Sequence, residues 1–462
     1  MLDSLDLMKK LRSPAAFWSL RYHNERRELH AMRQDTLEPP LISFERGAML
    51  TALVDGAYGY CATSDLSAAG LQKALERAAE WAQASRGRNV RRADAADMPA
   101  HRGSYDSPFL QDVPARSVLQ DLLAAECKGA NIDARIVERY AALELIDEER
   151  LYLTSTGGEL RQRFRYTLPH LRVTANEGVE TQSRSLELAR QGGFEIVREA
   201  SFIGSGRRLA EEALQLLAAP NCPSGTMDLL LMPDQMMLQV HESIGHPLEL
   251  DRILGDERNY AGTSFVTPDM IGRYRYGSEL LNVTYDPGIP GQLASYAFDD
   301  EGQPARKVFL IRDGVLVAPL GGPGVANSRS SGWNRAPIHR MANLNVEPGA
   351  GRLADMIASM RRGVLMRTNV SWSIDDSRNK FQFGCEWGEL IEEGERRGVV
   401  KNPNYRGVSA TFWRSLRGVG GPETFEVHGT LYCGKGEPNQ GIHCGHAAPA
   451  CLFSGVEIFG GQ

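Results

Sequence analysis

Seven cysteines in 462 residues is a small and odd number. Cys61, Cys127, Cys222, Cys385, Cys433, Cys444 and Cys451 are too scattered to form the paired framework of a small secreted scaffold, and a reducing compartment suits them better. No apolar run reaches the roughly 18 to 20 residues that a membrane-crossing helix needs. The opening MLDSLDLMKKLRSPAAFW interrupts its apolar residues with Asp and Lys, unlike a signal peptide. Positive charge is also scarce. The 52 Lys and Arg are outnumbered by 58 Asp and Glu, for a net charge of −6, so no general field exists to attract phosphate. The arginine clusters at 86–92 and at Arg361-Arg362 are short and read as solvated or ion-paired surface. The expectation is a cytoplasmic protein with neither nucleic acid nor membrane as a partner.

What remains is an ordinary globular composition, 42% hydrophobic and 24% charged, enough for a large core. The 47 glycines and 23 prolines are scattered without a period, which excludes collagen-like structure and long linkers. From Phe17 to Val54, apolar residues alternate with Arg, Glu and His around Pro39-Pro40, a pattern that predicts antiparallel strands. Helical spacing predicts an amphipathic helix over Leu66 to Ala84, capped by Ser64 or Asp65, and further helices over Pro114 to Cys127 and Gly206 to Leu217. Arg135 to Ala175 returns to strand-like alternation, and Met227 to Met232 reads as a buried strand. Beyond residue 260 the chain is dominated by turns and short β-rich runs, with Asp313-Gly314 as a hairpin signal. The predicted fold is α+β: a mixed strand and helix region over 1–200, with a possible linker near 86–108, then a mostly β domain over 220–462.

The segment with the most chemistry is Pro233 to Glu249, which contains His241-Glu242-Ser243-Ile244-Gly245-His246. Two imidazoles beside a carboxylate are what a hydrolytic zinc site requires. The spacing is HExxxH rather than HExxH. In a regular α-helix, residues five apart diverge by about 140°, and residues four apart by only about 40°. For both histidines to face one metal, a π-type turn must widen the helix between them, and Gly245 lowers its steric cost. The predicted helix starts at Pro233-Asp234 and ends near Leu250, before Gly255. Taken singly, each histidine also reads as a hydrogen-bonded core residue and Glu242 as a surface carboxylate.

A catalytic zinc needs a third protein ligand. The glycine-rich tail from Leu431 to His446, read as a loop, offers Cys433, His443, Cys444 and His446, with Cys451 close behind, and spacing does not choose among them. Glu249 is a candidate for orienting an imidazole or for a surface charge. Arg329, Arg335 and Arg340 read as residues lining a cleft or as parts of a solvated loop.

HESIGHPLE with Asp251, the run Tyr296-Ala297-Phe298-Asp299-Asp300-Glu301-Gly302, Arg340-Met341-Ala342-Asn343 and Cys433-Gly434-Lys435 together resemble the TldD/PmbA family of metalloproteases. The likeness is strongest from about residue 225 onward. It implies a zinc peptidase of the catalytic, TldD-like branch, with one zinc per chain held by His241, His246 and Cys433, and with Glu242 as the general base. It also implies a dimer, either with itself or with a related non-catalytic subunit. The expected substrate is an extended or unfolded polypeptide. The alternatives are a zinc-stabilised binding or regulatory protein, in which His443 or Cys444 would supply a fourth ligand, and a hydrolase of a non-peptide amide.

Overall fold

The computed structural model describes residues 10–88, 93–259, 262–322 and 324–461. Strands β1 (Phe17–Arg33) and β2 (Leu41–Val54) pair antiparallel, Phe17 opposite Leu53 through Leu29 opposite Leu41. Asp55 and Gly56, both with positive φ, make the two-residue turn into β3 (Ala57–Thr63). Helix α1 (Ala68–Ala84) is capped by Ser67, whose side chain accepts from the Gly70 amide; Asp65, one of the two expected caps, instead accepts from the Ser67 amide. Its apolar stripe of Leu71, Ala74, Leu75, Ala78 and Ala82 packs on Leu20 and Leu50 of the sheet. Burying each such leucine stabilises the pairing by roughly 1.5–3 kcal/mol.

Strand β4 (Arg102–Asp106) falls within the 86–108 stretch, of which residues 89–92 lie outside the described residues. Helix α2 (Arg116–Gly129) leads to the 19-residue strands β5 (Ile136–Thr154) and β6 (Glu159–Glu177), then to β7 (Glu180–Glu187) and helix α3 (Ser205–Ala218). The sheet runs β3-β2-β1-β5-β6-β4, with β7 also on β6. Helices α2 and α3 share an apolar cluster with β5 and β6.

The rest of the chain is mostly β. In order it forms β8 (Gly225–Leu231), helix α4 (Pro233–Val240), helix α5 (Leu250–Leu254), β9 (Val283–Tyr285), β10 (Val308–Arg312), β11 (Asn343–Val346), β12 (Arg362–Ile374), β13 (Lys380–Glu392), β14 (Pro403–Val408), β15 (Leu416–Val419), β16 (Glu426–Lys435), β17 (Gln440–Ala448) and β18 (Cys451–Gly460). Strands β8, β12, β13, β14 and β18 close into a barrel, because β18 pairs with both β14 and β8. A second sheet carries β10-β9-β11-β17-β16, with β16 at its edge. The turn at Asp313-Gly314 joins β10 to a short partner strand, as its sequence signal predicts.

The Leu431–His446 tail differs from the expected loop: most of it is the hairpin β16–β17. Of its glycines, Gly436 takes a positive φ at the hairpin turn, whereas Gly445 serves close strand approach. A Cβ on Gly445 would lie 2.1 Å from Asn343 Oδ1 on the neighbouring parallel strand β11. Helix α4 lies between the barrel and this second sheet, and Met236, Val240, Ile244 and Leu248 join Met341, Leu344, Met366 and Phe383 in one core. The N-terminal sheet docks on the barrel through Glu386 of β13. Its carboxylate accepts from Arg184 Nη1 (2.8 Å), the Ser185 amide (2.8 Å) and Ser185 Oγ (2.7 Å) on β7. No helix among the described residues is long and apolar enough to cross a membrane.

Candidate metal centre

Strand β8 ends inside the barrel wall and the chain turns directly into α4, with Pro233 at the first helical position. The helix then widens. His241–Gly245 is a π turn, closed by the His246 amide donating to His241 O, and helical backbone resumes over His246–Leu248. The turn is held from outside: Ser243 Oγ accepts from Trp413 Nε1 (2.9 Å) and Gln239 Nε2 (2.7 Å), and Tyr276 donates to Ser243 O. Gly245 has ordinary helical torsions, φ −57° and ψ −63°. Its glycine is needed for packing, since a Cβ would stand 2.0 Å from Met341 Sδ. The helix breaks at extended Glu249, and α5 ends at Gly255 in the left-handed region.

The widened turn brings the His241 and His246 rings to 4.7 Å between centroids. Hydrogen bonding fixes their tautomers. Leu344 O can only accept, so His446 Nδ1 donates to it (3.1 Å); the neutral His446 ring then accepts at Nε2 from His241 Nδ1 (2.8 Å). Burial and the facing His241 hold the His446 pKa down to about 3, so this ring stays neutral. His241 is left with a lone pair on Nε2. In the same way His246 Nδ1 donates to Glu249 Oε2 (3.0 Å) and turns Nε2 toward Cys433 Sγ, 3.5 Å away. Glu249 is fully buried, and Arg252 (2.8 Å) and Lys435 (3.4 Å) hold it as a carboxylate. Burial opposes that ionisation, but these cations and His246 keep its pKa well below the usual range.

Cys433 arrives on β16. Its backbone oxygen accepts from the fully buried Arg340, which also donates to Gln440 O (2.8 Å), so one guanidinium bridges both strands of the hairpin. Lys435, equally buried, ties the hairpin to the helix end through Asp251 (2.7 Å) and His339 O (2.7 Å). A hydrogen bond from Cys444, with His246, Arg340 and His241, outweighs burial and holds the Cys433 thiol far below its ordinary pKa. Facing that thiolate, His246 Nε2 donates to Cys433 Sγ, and Cys433 and Glu249 raise the His246 pKa against burial. A cation bound there would take the place of that shared proton, and the donor set of two imidazole nitrogens and one thiolate suits zinc with a coordination position to spare.

His241, Glu242, His246 and Cys433 line a cleft of about 890 Å³. Glu242 Oε2 is 3.5 Å from Arg378 Nη1, which reaches in from the β12–β13 turn. The other candidates separate clearly. His446 buttresses His241, and Cys444 Sγ lies within 4.8 Å of both Cys433 Sγ and His241. His443 faces the opposite side of β17, where it donates to Leu431 O (2.8 Å) beside Tyr166, and Cys451 sits in the barrel opposite Leu231. Neither Arg329 nor Arg340 lines the cleft or a solvated loop. Both are buried on backbone carbonyls, Arg329 on Met341 O and on His443 O (2.8 Å). Arg335 lines a different recess, beside Tyr60 and Gln440. A second potential donor group, His23, Glu25 and Glu148, is an ion-pair network with Arg27 and Arg150. Lys435, Arg252 and Arg378 were not singled out as site residues from sequence, and only the Cys433-Gly434-Lys435 motif carried a signal for one of them.

Residues 224–460 match the model of the PmbA/TldA metallopeptidase C-terminal domain, and residues 18–82 match that of domain 1. The chain belongs to the TldD/PmbA metallopeptidase family. A metalloprotease of Methanocaldococcus jannaschii is 23% identical over 446 residues, 94% of this chain and 95% of that protein. A zinc metalloprotease TldD homolog of Saccharolobus solfataricus is 25% identical over 242 residues, 50% of this chain and 52% of that one. The crystal structure of TldE from Thermococcus kodakarensis superposes with a TM-score of 0.73 at 17% identity, covering 99% of this chain and 98% of that one, which establishes a shared fold. Within the family frame, the HExxxH turn and the Cys433-Gly434-Lys435 hairpin are the two segments that meet at the cleft.

Proposed function

We propose that this chain is a zinc metallopeptidase of the cytoplasm that hydrolyses peptide bonds in extended or unfolded polypeptides, with His241, His246 and Cys433 as the metal ligands. The observation that carries the reading is the convergence of two tautomer-fixed imidazoles and a thiolate beside Glu242 in one cleft. When bound there, zinc supplies Lewis acidity for water and for the scissile carbonyl. Glu242 takes a proton from the attacking water and returns it to the leaving amine, a general acid–base role typically worth 10²–10⁴-fold in rate. Arg378 holds the Glu242 carboxylate toward the cleft. Edge strand β16 lines the same cleft from Glu426 to Gly434, so an extended substrate can add to it through backbone hydrogen bonds, with little demand on sequence. The zinc named for the Saccharolobus relative and the TldE fold neighbour support a zinc enzyme that pairs either with itself or with a related subunit.

One observation favours a second reading, a closed structural zinc site in a binding protein: Cys444 Sγ lies close enough to Cys433 and His241 to be a fourth ligand. Zinc content and cleavage of a casein-like unfolded substrate, compared between wild type and Glu242→Gln, separate the two. The metallopeptidase reading expects about one zinc per chain in both proteins and at least a ~100-fold loss of cleavage in the variant. Zinc in both with cleavage in neither, even with a related subunit added, would establish the structural reading.

A further inference from the structure

We propose that Cys433 and Cys444 form an oxidative modification site, at which a hydroperoxide converts the pair into a disulfide and withdraws the sulfur ligand from the metal centre. The effect on the metal depends on the metallopeptidase reading; the disulfide does not.

The hairpin places the two sulfurs together. Cys433 is opposite Ile442, and Cys444, two residues further along β17, projects from the same face. An irregularity in the pairing between Thr430 and Cys433 draws the diagonal pair together. Their Sγ atoms lie within 4.8 Å of one another, and both thiols are free. Closing to the ~2 Å of an S–S bond takes side-chain rotation and a small shift of the bulged strand.

The two cysteines are not equivalent. Cys433 is 3% exposed in the wall of the cleft, whereas Cys444 is fully buried behind it, against Met341 O at 3.7 Å. Position assigns the roles: the sulfur at the cleft wall meets the hydroperoxide first, and the one enclosed behind it follows. That division suits an attacking and a resolving cysteine. The Cys433 thiolate attacks one peroxide oxygen; the O–O bond breaks, hydroxide leaves, and the sulfur becomes a sulfenic acid. The Cys444 sulfur then attacks that sulfur, its proton leaves with the departing hydroxyl as water, and the S–S bond forms. Two electrons pass from the sulfurs to the peroxide.

The full chain, stripped with a chelator or loaded with zinc, is treated with hydrogen peroxide and mapped by non-reducing peptide mass spectrometry. A chromogenic chelator reads zinc release in parallel. The expected result is one linked peptide joining Cys433 to Cys444, formed more than tenfold faster in the stripped chain. Zinc uptake is blocked while the link persists, and dithiothreitol restores it. In Cys444→Ser no link forms, and a dimedone-reactive sulfenic acid accumulates on Cys433. The proposal is overturned if Cys433 in the wild type proceeds to sulfinic acid without a linked peptide. It is equally overturned if no link appears at peroxide levels that oxidise partly exposed Cys61. A link in a chain that binds no zinc even when reduced would sustain the disulfide and defeat the metallopeptidase reading.

Discussion

At the residue scale, the site is governed by which nitrogen carries each proton. His446 receives the proton-bearing side of His241 and leaves the other nitrogen for a metal. Replacing His446 with Ala removes that buttress, and we expect zinc affinity to fall by about 10–100-fold, measured by competition with a chelator. His443, one position removed in strand parity, serves stability instead. Burial lowers its pKa from 6.5 to about 4. The unfolded chain therefore takes up the proton first as pH falls. The neutral ring's contribution is complete above about pH 6.5 and is lost between 6.5 and 4, at up to about 1.4 kcal/mol per unit. Urea unfolding of the metal-free chain at pH 7, 6 and 5 should show this slope together with the like one from buried His446, and His443→Gln should make it shallower by up to about 1.4 kcal/mol per unit. HExxxH made His241, Glu242 and His246 legible in the sequence, and the family motif pointed to Cys433. The division of labour among His443, Cys444 and His446 was not legible, because it depends on the register of β17 against β16 and β11, which no local spacing encodes.

At the scale of the element, the π turn was readable because geometry left no alternative: five-residue spacing and one shared metal are incompatible in a regular helix. Its supports were not, because Trp413, Tyr276 and Met341 come from distant segments. Gly245→Ala places a methyl group against Met341 Sδ, and we expect about 1–3 kcal/mol of destabilisation by urea denaturation together with weaker zinc binding. The hairpin shows the opposite failure. Its glycines resemble loop punctuation in sequence, yet in the structure Gly445 permits β17 to approach β11. The turn at Asp313-Gly314 was legible because two consecutive positive-φ residues are a strictly local demand.

At the scale of the whole molecule, alternation and helix periodicity revealed an α+β chain, but not that β8 and β18 meet to close a barrel. That contact joins residues more than two hundred positions apart. The docking of the N-terminal sheet was equally hidden, since Glu386 sits in an ordinary strand pattern and Arg184 in another. Glu386→Ala strands Arg184, which is 1% exposed, with only Glu212 as a carboxylate partner. Breaking such a buried pair costs about 3–5 kcal/mol. The loss should appear in urea denaturation, with faster hydrogen exchange at the β7–β13 contact.

Barrel closure also bears on when the site comes into being. The helix that carries His241 and His246 springs from β8, one of whose two neighbours is β18, and Cys433 rides on a hairpin made only shortly before that strand. A nascent chain emerging from the ribosome therefore carries its histidines long before their anchor and their sulfur exist. On the proposed reading, the cleft that would cut a peptide is complete only once β18 has closed the barrel, so a copy still short of that strand lacks the means to cut its neighbours or itself.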